Sequence, residues 1–130
     1  MKPDVSRLRV AACLGFLAVA LGAFGAHGLG DMWKAALPAE EVTYRLGVWH
    51  TAEFYHLTHA VALAALAMAG LGARYVWAWR FWIVGTILFS GSLYVLCLTG
   101  IKKFGAVTPF GGIALLVGWV LLALRPKAEA

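Results

Sequence analysis

Charge is what this sequence most lacks. Its 130 residues include 11 basic and 6 acidic side chains, 13% of the total, where a soluble domain carries about a quarter. Cysteine is scarcer still, limited to Cys13 and Cys97. They fall in two different apolar blocks, so neither a disulfide framework nor a zinc motif is supported. The basic residues are not clustered among aromatics, and the net charge of +5 is therefore no nucleic-acid patch. Ser90 and Ser92 have no acidic partner nearby in sequence, and no glycine loop of the phosphate-binding kind occurs. No enzyme activity is expected. Short segments of alternating polarity, the mark of a membrane barrel, are missing. So is the charged stripe that a helix of a soluble bundle carries.

What the sequence does have is apolar length. It is 62% hydrophobic, with a mean hydropathy of +0.82. Four blocks without a formal charge run over 10–30, 54–73, 81–101 and 104–124. A helix rises about 1.5 Å per residue, so about 20 residues match a hydrocarbon core of about 30 Å. The pattern predicts an all-α fold, a single-domain integral membrane bundle of four transmembrane helices over about 8–28, 50–70, 78–100 and 106–124. Lys2, Arg7, Arg9, Arg74, Arg80, Arg125 and Lys127 fall on one side of it. Lys34, Arg45, Lys102 and Lys103 fall on the other, offset by Asp31, Glu40 and Glu41. The more basic side is the expected cytoplasmic one, which gives an N-in, C-in topology. The basic start before an apolar run resembles a secretory signal, but the run is long and three more follow, so retention as a first helix is expected. Val10-Ala11-Ala12-Cys13 resembles a lipoprotein processing box without the apolar stretch that should precede it.

Local signals place the ends. The stretch Gly25-Ala26-His27-Gly28-Leu29-Gly30 is expected to close the first span. Pro38 suits a helix start, and Glu41 and Arg45 are spaced for an i,i+4 pair. The segment from there runs straight into the second span or bends at Gly47. Gly70-Leu71-Gly72 ends that span, Lys102-Lys103 turns the chain, and Thr108-Pro109 opens the last one. Tyr75, Trp77, Trp79 and Trp82 read as an interfacial belt. Small residues mark close helix packing: Gly15 and Gly22 in the first span, Ser90, Gly91 and Ser92 in the third, Gly111 and Gly112 in the fourth.

Ionisable residues are costly in a bilayer and tend to face a bundle interior. Here His27, His50, Glu53, His56 and His59 lie within one short stretch, joined from other spans by Tyr94, Thr99 and Thr108. The expected result is a polar cluster of His27, Glu53, His56, His59, Tyr94 and Thr108 in the outer half. Successive i,i+3 steps rotate by about −60°, so His50, Glu53, His56 and His59 cannot all bind one ion. A zinc or copper site from His27, His56 and His59 is one use, and haem ligation by two histidines another. A proton or solute pathway and simple helix-to-helix hydrogen bonding complete the alternatives.

Four motifs resemble the YgdD/YwdK-like family, the domain-of-unknown-function family 423 of small bacterial inner-membrane proteins. They are Gly22 to His27, Tyr55 to Ala60, Leu88 to Tyr94, and Thr108 to Gly112 with Gly118-Trp119. The resemblance covers almost the whole chain. It implies a four-helix protein of the inner membrane with no established activity. It places His27, His59, Ser90, Ser92, Tyr94, Thr108 and Pro109 at motif positions. Relatives can carry glutamine at the position of His56, which weakens any metal site that needs it. The combined expectation is a non-enzymatic accessory, assembly or interaction subunit without a cofactor. Its partners are lipid and other membrane subunits or further copies of itself. The alternative is a metal-binding or transport protein.

Overall fold

A computed structural model describes residues 2–124. Arg125 and Lys127, counted above on the cytoplasmic side, lie outside the described residues. Those that are described form helices, with no strand among them.

Helix α1, Val5–Phe24, opens on Asp4, whose carboxylate accepts from the Arg7 amide at 3.1 Å and pairs with the Arg7 guanidinium. These bonds, the amide first, hold the Asp4 carboxyl below its usual pKa of 3.8. The cap is therefore intact above that value and is lost only as pH falls through the lowered one. The expected stop does not come at the glycine stretch. A π-helical turn, Gly25–Leu29, leads directly into α2, Gly30–Ala36. The physical reason is Trp49: its indole sits where Gly25 lacks a Cβ and donates to the Leu21 carbonyl at 3.0 Å. A side chain inserted against the backbone widens a helix without ending it. The break comes at Leu37, held extended by the proline that follows.

Helix α3, Ala39–Met68, runs unbroken through Gly47, so the straight alternative holds. Gly70 ends it at φ 68°, with the Leu71 amide reaching back to the Leu66 carbonyl at 2.9 Å. Helix α4, Val76–Thr99, ends on Gly100 at φ 73°. A 3₁₀ segment, Lys102–Ala106, leads to α5, Thr108–Ala123, with proline in its first turn.

Three of these runs are long and apolar enough to cross a membrane: 5–36, 76–99 and 102–123. At 30 residues α3 is long enough, but it carries Glu53 and three histidines.

The long helices alternate in direction. The Asp4 amide bonds the Ala67 carbonyl at 2.9 Å, joining the start of α1 to the end of α3. Arg45 bonds the Cys97 carbonyl at 3.0 Å, joining the start of α3 to the end of α4. Arg7 and Arg80 thus share one end of the molecule, while Arg45 and Lys102 share the other.

The order in space is α1, α3, α4, α5, an open row. Helix α3 packs between α1 and α4, and α5 packs on α4. Among the described residues no Cα of α1 comes within 8 Å of one in α4 or α5.

Two core clusters hold the row. Leu29, Trp33, Trp49, Tyr94 and Cys97 pack at the Arg45 end, and Ala11, Leu63, Trp79, Trp82 and Leu115 pack at the Arg7 end. The aromatic belt is therefore only partly a belt. Trp79 and Trp82 are buried in the second cluster, and Trp77 alone of the three tryptophans is exposed, under Arg80.

Candidate functional site

The expected polar cluster resolves into separate groups, because helix rotation sends its members in different directions. Helix α3 carries His56 and His59 one turn apart. His56 turns toward α4, where its Nδ1 meets the Tyr94 hydroxyl at 3.2 Å. His59 turns toward α5. Its Nδ1 bonds the Tyr55 carbonyl at 2.8 Å, and its Nε2 accepts from the Trp119 indole at 3.1 Å.

The remaining members lie elsewhere. Thr108 pairs with Ser92 at 2.7 Å across the α4–α5 turn. Glu53 faces exposed His50 at 3.7 Å and fills the space that Gly22 leaves on α1. His27 sits exposed on the π-helical turn. The clustering of His27 with His59 is thus corrected, since they belong to different surfaces. Among the described residues no group of three His, Cys, Asp or Glu side chains is placed to hold an ion, His27, His56 and His59 included.

The packing assignments fare unevenly. Gly15 faces Ala60 in ordinary contact, and Ser90 donates to the Ala52 carbonyl at 2.7 Å, locking α4 onto α3. Gly111 lies against the backbone of α4 at Leu88 and Phe89, with Gly112 beside the Phe89 ring. Gly91 packs against nothing; a Cβ there would meet open space. It lines a cleft instead.

That cleft is the most distinctive feature of the molecule. It lies between α1 and α4 with α3 as its floor, a cavity of about 220 Å³. Leu14, Leu17 and Leu21 wall it on α1, and Ile87 and Gly91 wall it on α4. His56, Thr86, Ser90 and Tyr94 supply its polar atoms. The sequence reading missed two residues here and in the neighbouring group. Thr86 precedes Ser90 and Tyr94 by one and two turns, so it shares their face, and that spacing was the available signal. Trp119 lies 60 positions from His59 and gave none.

The His59 group is a structural joint, buried at His59 and Trp82 and exposed at the Trp119 edge. Trp82 and Trp119 pack at 4.7 Å between ring centroids, and both stand edge-on to His59. Trp119→Phe keeps the packing but leaves the His59 Nε2 without a donor. A loss of about 1–2 kcal/mol is expected, read by thermal unfolding in detergent. No change would mean that His59 finds another partner.

The chain matches the family model described as "Protein of unknown function (DUF423)" over residues 21–112. It is 41% identical to the UPF0382 membrane protein YwdK of Bacillus subtilis, over 83% of this chain and 85% of the relative. It is 39% identical to the UPF0382 inner membrane protein YgdD of Escherichia coli K12, over 92% and 89%. A UPF0382 membrane protein of Staphylococcus saprophyticus is 38% identical, over 83% and 85%. No solved structure matches the chain.

Proposed function

The chain belongs to the DUF423 family, and from that premise we propose a protein of the bacterial cytoplasmic membrane that works by association. It crosses the bilayer four times with both ends inside, as an accessory or assembly subunit of a larger membrane complex or as an oligomer. It performs no chemistry of its own.

The observation that carries this reading is the open row. Helices α1 and α5 stand at its two ends, and among the long helices the backbone of α1 comes close only to α3 and that of α5 only to α4. A closed bundle would satisfy both helices internally. Here each keeps a broad face for another protein, and close contact between apolar helices in lipid depends on such faces. Little lies outside the helices to serve instead, since the connections at 69–75 and 100–107 are short.

Four crossings are supported by the alternating helices and by the charge at their ends. Polar groups within α3 that hydrogen-bond to its neighbours suit a helix inside a bundle. The N-in orientation is supported by Lys2, Arg7, Arg9, Arg74 and Arg80 at one end, against Lys34, Arg45, Lys102 and Lys103 at the other.

The test is amine-independent photo-cross-linking in native membranes, with a probe at Phe16 on α1 or Ile113 on α5, both exposed. Discrete protein adducts at either position, with a matching mass from mild detergent, are expected. Adducts to lipid alone and a monomeric mass would refute the association.

A further inference from the structure

Beside the cleft between α1 and α4 lie two polar atoms that find no partner at hydrogen-bonding distance among the described residues. His56 is 5% exposed and Thr86 3%. The His56 Nε2 and the Thr86 hydroxyl are buried there without a hydrogen-bond partner. Such atoms are rare in folded proteins and costly, most of all at membrane depth.

Thr86 stands out against its own kind. Thr43, Thr51, Thr58 and Thr99 each turn the hydroxyl back to the carbonyl four residues earlier, at 2.7 to 3.1 Å. Thr86 sits mid-helix and does not. Its hydroxyl is left for the cleft.

The protonation of His56 follows from its neighbour. Among the described residues the Tyr94 hydroxyl meets one hydrogen-bond partner, the His56 Nδ1 at 3.2 Å. A buried phenol must place its proton, so it donates to Nδ1, and that leaves the proton of the imidazole on Nε2. An N–H from α3 and an O–H from α4 thus lie buried beneath the apolar wall of the cleft. Both seek acceptors.

We propose that this cleft binds a neutral, lipid-soluble molecule with a ring-sized head carrying carbonyl-type oxygens, of the quinone kind, entering sideways from the bilayer. The carbonyl oxygens accept from His56 Nε2 and the Thr86 hydroxyl. A cavity of about 150 Å³ accommodates benzene, and this one, at about 220 Å³, accommodates a substituted ring.

Among the described residues no Lys or Arg lines the cleft, which disfavours an anionic headgroup. Leucines and Ile87 suit an apolar ring and tail. Leu17 and Ile87 are exposed at the mouth, and rotation of the leucine side chains opens the way to the polar floor. The inference does not depend on the association proposed above, because the cleft faces α1 and α4 within a single chain.

The experiment uses the full chain in lipid nanodiscs, titrated with a decyl-tailed benzoquinone. Quenching of tryptophan fluorescence reports binding, since Trp49 packs on Tyr94 at 4.7 Å, and native mass spectrometry gives the stoichiometry. Saturable binding of one molecule per chain is expected. Thr86→Val and His56→Leu should each weaken it about five- to tenfold, the worth of one hydrogen bond. Thr86→Val should also leave the melting temperature unchanged or higher, because its hydroxyl has no protein partner. A Cβ at Gly91 would meet nothing within 4 Å, so Gly91→Leu is expected to fill the mouth and abolish saturable binding while the chain stays folded. Dioctanoylglycerol, which offers ester carbonyls without a ring, should compete poorly.

Quenching that rises without saturation, or a Gly91→Leu chain that binds like the parent, overturns the proposal. Equal competition by dioctanoylglycerol overturns the ring assignment. A fall in melting temperature with Thr86→Val would show that the hydroxyl serves the fold.

Discussion

Gly111→Leu is expected to cost about 3 kcal/mol of stability, read as a clear fall in melting temperature in mild detergent. A Cβ at Gly111 falls 2.7 Å from the Phe89 Cα and 2.9 Å from the Leu88 carbonyl carbon, and closer still to the Phe89 amide nitrogen. These are backbone atoms of α4, which no rotamer change can move aside. Overpacking a well-fitted contact costs about 1–3 kcal/mol, and obstruction by backbone lies at the top of that range. The opposite helix is built the same way: a Cβ at Gly85 would meet the Leu115 side chain and its amide nitrogen at 2.9 Å. With little hydrophobic force between helices in lipid, such close approach is what holds α5 to α4. Gly112→Ala is the control, because its Cβ would meet the Phe89 ring at an ordinary 3.6 Å. It should melt with the parent. If Gly111→Leu does so too, α5 is not docked through that glycine.

Arg45→Leu is the second large effect, a loss of about 2–3 kcal/mol. Arg45 is nearly buried, its side chain 14% exposed. It bonds Glu41 at 2.8 Å and the Cys97 carbonyl at 3.0 Å, and lies over the Trp33 ring at 5.9 Å. One side chain thus ties α3 to α4 and to α2. Gly100 leaves room for it, since a Cβ there would meet the guanidinium. Hydrogen bonds to charged groups are worth about 1.5–3 kcal/mol, and the partners left behind are partly buried. Arg45→Lys should recover less than half of the loss, because an ammonium cannot reproduce the planar fork that reaches both partners. Chemical unfolding in detergent, compared with Glu41→Gln, reads the effect. A loss no greater than that of Glu41→Gln would confine the role of Arg45 to one surface pair.

The helix ends were legible where a residue has a single local use. Gly70 and Gly100 sit at positive φ, Leu37 is extended before Pro38, and Thr108-Pro109 starts α5. The Glu41–Arg45 pair followed from spacing alone. The glycine stretch at 25–30 misled because glycine permits a stop without requiring one, and Trp49, far away in sequence, decides what happens there. Trp79 and Trp82 carry the composition of a belt, yet their burial depends on where α3 and α5 pass.

The candidate site was half legible for the same reason. Sequence identifies His56, His59, Tyr94 and Ser90 as polar groups out of place in an apolar helix. Which helix each one faces depends on rotation and crossing, and those are set by long-range contacts. His56 and His59 are three residues apart and only about 60° around α3, yet one bonds Tyr94 on α4 and the other Trp119 on α5. Gly22, expected to meet a helix backbone, makes room for the Glu53 carboxylate. The cleft itself has no sequence signature, being the space that α1 and α4 fail to close.

Both functional readings rest on that open row, and disulfide trapping in native membranes tests it most directly. In a background without Cys13 and Cys97, Gly15→Cys with Ala60→Cys joins α1 to α3. A Cβ at Gly15 stands 4.0 Å from that of Ala60, within the span of a disulfide. Leu17→Cys with Ile87→Cys tests α1 against α4 across the cleft. The first pair should cross-link rapidly under mild oxidation, and the second should stay reduced over the same time. A rapid Leu17–Ile87 cross-link, or none at 15 and 60, would mean that α1 closes against α4, and the row, its free faces and its cleft would all be contradicted.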